Sequence, residues 1–235
     1  MKTNHFIVLA MVAVLSVPSI AKKSKTVEYK DNVLTDLRYN YQLDVPKNWK
    51  VKKFKEKSDE PEVLRTLLIQ KNYQINHEAR DLDADFTIPE IQIYTRVDTI
   101  DSKAFMEKIK SDVSNHSSED NIINQLNLIL TGEFLGQQTV EINDLQIEQA
   151  YFKRQWKRVM EGDPDDPKYR QYGGRIVRNV HDVHEVYVFK HNGCLFVIQV
   201  FVENEFHAML KEEIATIISS IRFIDSETST ENTEN

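Results

Sequence analysis

Residues 184–203 read HEVYVFKHNGCLFVIQVFVE. Apolar residues crowd both arms, and His191-Asn192-Gly193 lies between them. Asn-Gly tolerates the positive φ angles of a type I′ turn, so the segment is a hairpin, His184 to Lys190 against Cys194 to Glu203. This is the clearest hairpin in the chain, and the sheet it joins is expected to be covered by helices.

The residues that follow supply one cover. Phe206, Leu210, Ile214, Ile217, Ile218 and Ile221 recur at helical spacing, with Lys211, Glu212 and Glu213 between them. This is an amphipathic helix with a continuous apolar stripe. Arg222-Phe223 closes the ordered part, and residues 225–235 are polar and acidic, with too little to bury to hold a structure.

Upstream, the strand pattern repeats. Tyr39 to Val45 alternates, Pro46-Lys47-Asn48 turns the chain, and Trp49 to Phe54 alternates again. Leu64 to Gln70 and Ile88 to Val97 are a third and a fourth strand, with Pro89 placing the start of the latter near an edge. The period then changes. Phe105, Ile109 and Val113 lie four apart behind Asp101-Ser102, which predicts a helix capped by one of those two residues. Ile122, Leu126 and Ile129 or Leu130 predict a second helix ending at Gly132. Strands return at Thr139 to Ile142 and Leu145 to Trp156 around an Asn143-Asp144 turn. Gly162, Pro164, Pro167, Gly173 and Gly174 then mark Met160 to Gly174 as a long loop.

The start of the chain has three parts. Lys2 precedes the apolar run Phe6 to Leu15, Pro18 breaks it, and Ser19-Ile20-Ala21 offers small residues at the cleavage positions. The run is too short to span a bilayer, which takes roughly 20 apolar residues. Residues 1–21 are therefore expected to be a cleaved signal peptide, residues 22–35 a flexible segment, 36–224 a single α+β domain and 225–235 a disordered tail. The product would be periplasmic or extracellular, with no integral membrane segment.

Charge and cysteine narrow the function. The chain carries 30 Lys and Arg against 37 Asp and Glu, a formal charge of -7. Cleavage would remove Lys2 and no acid, giving -8. Nucleic acid is excluded as a partner, because phosphate binding is built on cationic neutralisation. Cys194 is the single cysteine, so no internal disulfide forms, and its apolar surroundings favour a small buried hydrophobe over a nucleophile or an intermolecular thiol.

Four clusters are candidates for chemistry. His181-Asp182-Val183-His184-Glu185 holds two histidines and a carboxylate, a possible zinc set of His181, His184 and Glu185. On a strand, however, residues three apart face opposite ways. Asp81, Asp83 and Asp85 occupy the first, third and fifth places of a calcium loop, but Phe86 and Gln92 replace its glycine and its closing glutamate. Asn115-His116-Ser117 is a glycosylation triplet. Finally, the acidic loop of Glu161, Asp163, Asp165 and Asp166 faces Lys153, Arg154, Lys157 and Arg158. With Arg154, Trp156, Arg158, Tyr169 and Tyr172, that loop is the expected partner surface. No nucleophile elbow, phosphate-cradling glycine loop or C-x-x-C pair occurs, and no cofactor is expected.

Two stretches carry a family resemblance. Tyr41-x-x-x-Val45-Pro46-x-x-Trp49 opens the domain, and Ile218-Ser219-Ser220-Ile221-Arg222-Phe223 ends its closing helix. With the mid-chain helix and the late hairpin, this resembles the PsbP-like superfamily, which includes the extrinsic photosystem II subunit and related Ran-binding proteins. The resemblance spans residues 36 to 224. It implies an antiparallel sheet sandwiched between helices and an accessory or interaction role, and it carries no functional residue onto this chain. The expected function is a non-enzymatic exported module that binds a protein of the cell envelope. A metal-assisted hydrolase and a small-ligand carrier are the alternatives.

Overall fold

The computed structural model describes residues 26–52, 64–70, 88–114 and 132–224. The expected signal peptide, the calcium-like loop, the glycosylation triplet, the second mid-chain helix and the acidic tail lie outside them.

Eleven strands and three helices are described. In chain order they are β1 (Val27–Lys30), β2 (Val33–Asp36), β3 (Tyr41–Asp44), β4 (Trp49–Lys52), β5 (Leu64–Gln70), β6 (Glu90–Val97), α1 (Ser102–Ser114), β7 (Glu133–Ile142), β8 (Leu145–Glu161), α2 (Pro167–Arg170), β9 (Arg175–His191), β10 (Cys194–Glu203), α3 (Asn204–Ser219) and β11 (Arg222–Phe223). Seven strands form one sheet in the order β4-β5-β6-β10-β9-β8-β7, and four form a second, β1-β2-β3-β11. Every pairing is antiparallel.

The hairpin at 184–203 lies at the centre of the large sheet, with β10 between β9 and β6. Asn192 and Gly193 take φ of 47° and 75°, as a primed turn demands. Strand alternation gives the sheet two apolar faces. One packs Val186, Val188, Leu195 and Val197 against Phe105, Met106, Ile109 and Val113 of α1. The helix starts where its spacing predicts: an oxygen of Asp101 accepts from the Ala104 amide at 2.8 Å.

The other face packs Tyr187, Phe189, Phe196, Ile198 and Val200 against Ile214, Ile217 and Ile218 of α3 and against Leu34, Tyr41 and Leu43 of the small sheet. Burying each such aliphatic side chain contributes about 1.5–3 kcal/mol. That exceeds any intrinsic helix preference of this β-branched segment, so packing is what holds α3. The Asn143 amide ties in the end of α3 by donating to the carbonyls of Ser219 and Ile221 at 2.8 and 2.7 Å.

The structure amends the expected architecture in two places. The sheet is antiparallel and carries a described helix on each face, but the layer on the α3 side is shared with a second sheet. Residues 27–36, assigned from sequence to or beside a flexible segment, form the hairpin β1–β2. Its turn is Asp31-Asn32, with φ of 52° and 63°. Both residues tolerate the left-handed region, a turn signal masked by the polar residues around it.

Candidate functional site

β8 and β9 are the longest strands described, and their flanking strands stop short. β7 accompanies β8 only as far as Lys153, and β10 accompanies β9 only as far as Asp182. Beyond those points β8 and β9 pair with each other alone among the described strands, from Gln155 opposite His181 out to Glu161 opposite Arg175. A two-stranded ribbon thus continues out of the sheet. The segment expected to be a loop from Met160 is strand to Glu161 and resumes as strand at Arg175.

Alternation sends Arg154, Trp156 and Arg158 to one face of this ribbon. There they form an internal ladder. Arg154 donates from Nε and Nη2 to one oxygen of Asp182, at 3.0 and 2.6 Å, and the Trp156 indole N–H donates to the same oxygen at 2.6 Å. The Trp156 ring lies between two guanidinium groups, with Arg154 at 5.0 Å and Arg158 at 4.9 Å from its centroid. Asp182 is fully buried, while the three ladder residues are half-buried. Three donors converging on one carboxylate oxygen, with one indole ring between two cations, hold the base of the ribbon in a single geometry.

The opposite face is exposed. Gln155, Lys157 and Val159 of β8 face Arg175, Val177 and Asn179 of β9. Val159 and Val177 are direct cross-strand partners, yet they are 43% and 52% exposed. At the tip, Asp166 caps the short α2 by accepting from the Lys168 amide at 2.8 Å. Tyr169 folds back over Gly162, where a Cβ would come within 2.4 Å of the ring. Tyr172 stays exposed. The residues proposed from sequence therefore divide by role: Arg154, Trp156, Arg158 and Tyr169 are in internal contacts, and Tyr172 is on the surface. Residues 153–181 carry eight basic and four acidic side chains, +4 on a chain of -7.

The structure does not gather His181, His184 and Glu185. His184 is on the ladder face, whereas His181 and Glu185 are on the other. Among the described residues no group of three or more His, Cys, Asp or Glu side chains is arranged to hold a metal. His184 Nδ1 lies 3.0 Å from the Gln199 amide nitrogen, and its ring meets Phe201 edge-on at 4.8 Å. Burial, aided by the nearby Arg154 charge, drives the imidazole pKa down to about 3, so the ring is neutral.

Glu185 is the centre of a different network. His207, in the first turn of α3, meets it at 2.5 Å, the Tyr187 hydroxyl donates to it, and the Gln149 amide donates at 3.2 Å. Burial alone would raise the Glu185 carboxyl, but the His207, Tyr187 and Gln149 contacts outweigh it and hold the group below the usual carboxylate range. Burial and the Glu185 charge push the Tyr187 hydroxyl far above its ordinary value. Sequence reasoning missed His207, Tyr187 and Gln149. Tyr187 was within reach, since it shares a strand face with Glu185 two residues away. His207 was not, because its partner lies across a helix–sheet contact.

No family model and no curated protein matches the chain. Solved structures do. The chain is similar to the PsbP protein of the cyanobacterium Synechocystis, with 11% identity, 92% of this chain and 99% of that one covered, and a TM-score of 0.44. It is similar to the Ran-binding protein Mog1p of Saccharomyces cerevisiae, with 12% identity, 83% and 96% covered, and a TM-score of 0.44. It is also similar to LpqN, a Mycobacterium tuberculosis protein involved in cell envelope biogenesis, with 12% identity, 77% and 81% covered, and a TM-score of 0.41. A PsbP protein and a Ran-binding protein are the two kinds of protein that the opening and closing motifs resemble. Among the described residues, no helix is long and apolar enough to cross a membrane.

Proposed function

We propose that this protein is a non-enzymatic, exported accessory module that binds an acidic surface of a cell-envelope protein through the β8–β9 ribbon. One observation supports the reading above others: Val159 and Val177 are paired side by side and exposed, next to the exposed Lys157 and Arg175. An apolar centre edged by cations can bury area and attract an acidic partner together. Tyr172 at the tip is exposed as well. The Arg154–Trp156–Arg158 ladder contributes from behind, fixing the ribbon so that little order is lost on binding. The N-terminal pattern supports export, and cleavage after Ala21 would release residues 22–235 into the periplasm or the medium.

The test is a cross-linked pull-down from the native envelope using residues 22–235, beside a Val159→Asp, Val177→Asp double variant. Both side chains are already exposed, and unchanged amide spectra outside the ribbon show that the double variant is folded. A partner retained by the parent chain and lost with the variant supports the ribbon as the binding surface. Equal retention by both overturns it.

A further inference from the structure

A second basic surface lies at the far end of β9. An open cleft there is lined by Arg38, Tyr39, Arg96, Asp98, Thr99 and Lys190, beside the β9–β10 turn. Its charges are not all matched. Arg96 pairs with Asp98 at 2.5 Å, which uses the one carboxylate. The exposed Arg38 has its guanidinium over the Tyr39 ring at 5.4 Å, and Lys190 donates to the carbonyl of Thr99 at 3.2 Å. Neither Arg38 nor Lys190 has a carboxylate partner among the described residues. Three cations and one carboxylate leave the cleft at +2.

The last described residues lie at this place. The Ile224 amide donates to the Asn40 carbonyl at 2.8 Å, one residue from Tyr39 and two from Arg38. Phe223 stacks on His191, the neighbour of Lys190, with ring centroids 3.5 Å apart. The last described residues are thus fastened between the two segments that supply the unmatched cations. The residues that continue, 225–235, carry Asp225, Glu227, Glu231 and Glu234 and no basic side chain.

We infer that the cleft is a binding site for an acidic peptide segment, and that its occupant is this chain's own residues 225–235. The argument is tethering plus charge. A segment anchored at Ile224 meets the cleft at the millimolar effective concentration of a short linker, so weak ion pairs suffice to seat it. The far end of the other basic surface, at Arg175, is out of range. The sixteen residue steps of β9 from His191 to Arg175 span roughly 50 Å, whereas eleven extended residues reach roughly 40 Å. A docked tail covers Arg38 and Lys190, and any acidic partner of the cleft must displace it. This inference does not depend on the role of the ribbon.

Residues 225–235 can be followed from a spin label at Ser229→Cys in a Cys194→Ser background of residues 22–235, read by amide signal loss. Loss at Val97, Thr99 and Gly193 is expected. It should recover in about 0.5 M sodium chloride, where screening acts within about 4 Å, and in an Arg38→Glu, Lys190→Glu variant. Retained cleft signals would overturn the inference, and so would loss at Lys157 and Arg175 in their place. Loss that appears only when labelled chain is mixed with isotope-labelled, spin-free chain would also overturn it, assigning the tail to a second copy. Unchanged amide spectra away from the cleft show that each variant is folded.

Discussion

Glu185 on β9 and His207 on α3 meet at 2.5 Å, and this contact joins the first turn of the closing helix to the middle of the large sheet. The end of α3 is held by its apolar stripe and by Asn143, so the Glu185 contact governs its start. Replacing His207 with Ala leaves a buried carboxylate without its strongest partner and is expected to cost about 2 kcal/mol at neutral pH. The sign with pH follows from the depressed Glu185 carboxyl. Its contribution is present above the unfolded carboxyl range and is lost as pH falls through the lower folded value. The His207→Ala effect should therefore shrink in acid. Urea unfolding of both chains across the acid range checks this, and a constant difference would argue against it.

His184 gives a second pH dependence in a higher window. Its folded pKa is lowered to about 3. The unfolded state therefore takes up a proton near pH 6.5 that the folded state refuses, and stability falls as pH drops below that value. On going from pH 7 to pH 5 the loss is on the order of 2 kcal/mol. His184→Gln keeps a polar contact for Gln199 but does not titrate, so its stability curve should be flatter over this window. The comparison is made by thermal or urea unfolding of the two chains.

Asp182→Ala removes the acceptor shared by Arg154 and Trp156. It leaves a half-buried guanidinium and an indole N–H without their partner, which should cost about 3 kcal/mol. The ribbon base should loosen before the sheet does. Hydrogen exchange would then show faster amides at 154–161 and 175–181, with the β9–β10 pairing still protected. Uniform acceleration would contradict the localisation.

Two glycines of the same region separate strain from propensity. Gly132 has φ of 129°, and a Cβ there would come within 2.2 Å of the Lys153 carbonyl oxygen, a backbone atom that cannot step aside. Gly136, in β7, has nothing within 4 Å. Gly132→Ala should lose about 2 kcal/mol or more. Gly136→Ala should be neutral or slightly stabilising, by a few tenths of a kcal/mol. Unfolding midpoints of the two variants decide this directly.

How much of the site was legible depended on separation in the chain. The strand holding Arg154 and Trp156 was readable, but nearness in sequence groups Lys153, Arg154, Lys157 and Arg158 as one basic approach, although alternation divides them between two faces. Which face was exposed was not readable, because the contact that draws Arg154 and Trp156 inward comes from Asp182, across a hairpin of more than twenty intervening residues. Asp182 lies inside the His181-to-Glu185 run, where nearness in sequence suggests a shared role. On a strand, neighbours point apart, and the structure gave Asp182, His184 and Glu185 separate partners.

The sequence by itself determined the pieces and their order: the Asn-Gly hairpin, the helix behind Asp101, the apolar stripe of α3 and the unmatched acidity of the tail. These are local, since backbone sterics and residue periodicity act over a few positions. Tertiary structure alone decided that β8 and β9 outrun their neighbours, that Glu185 finds His207, and that Phe223 and Ile224 are fastened between the segments of Tyr39 and Lys190. Each depends on where strands end against one another and which side chains meet across a packed layer. Those are long-range contacts, selected by burial of the whole core and not by any short stretch of residues.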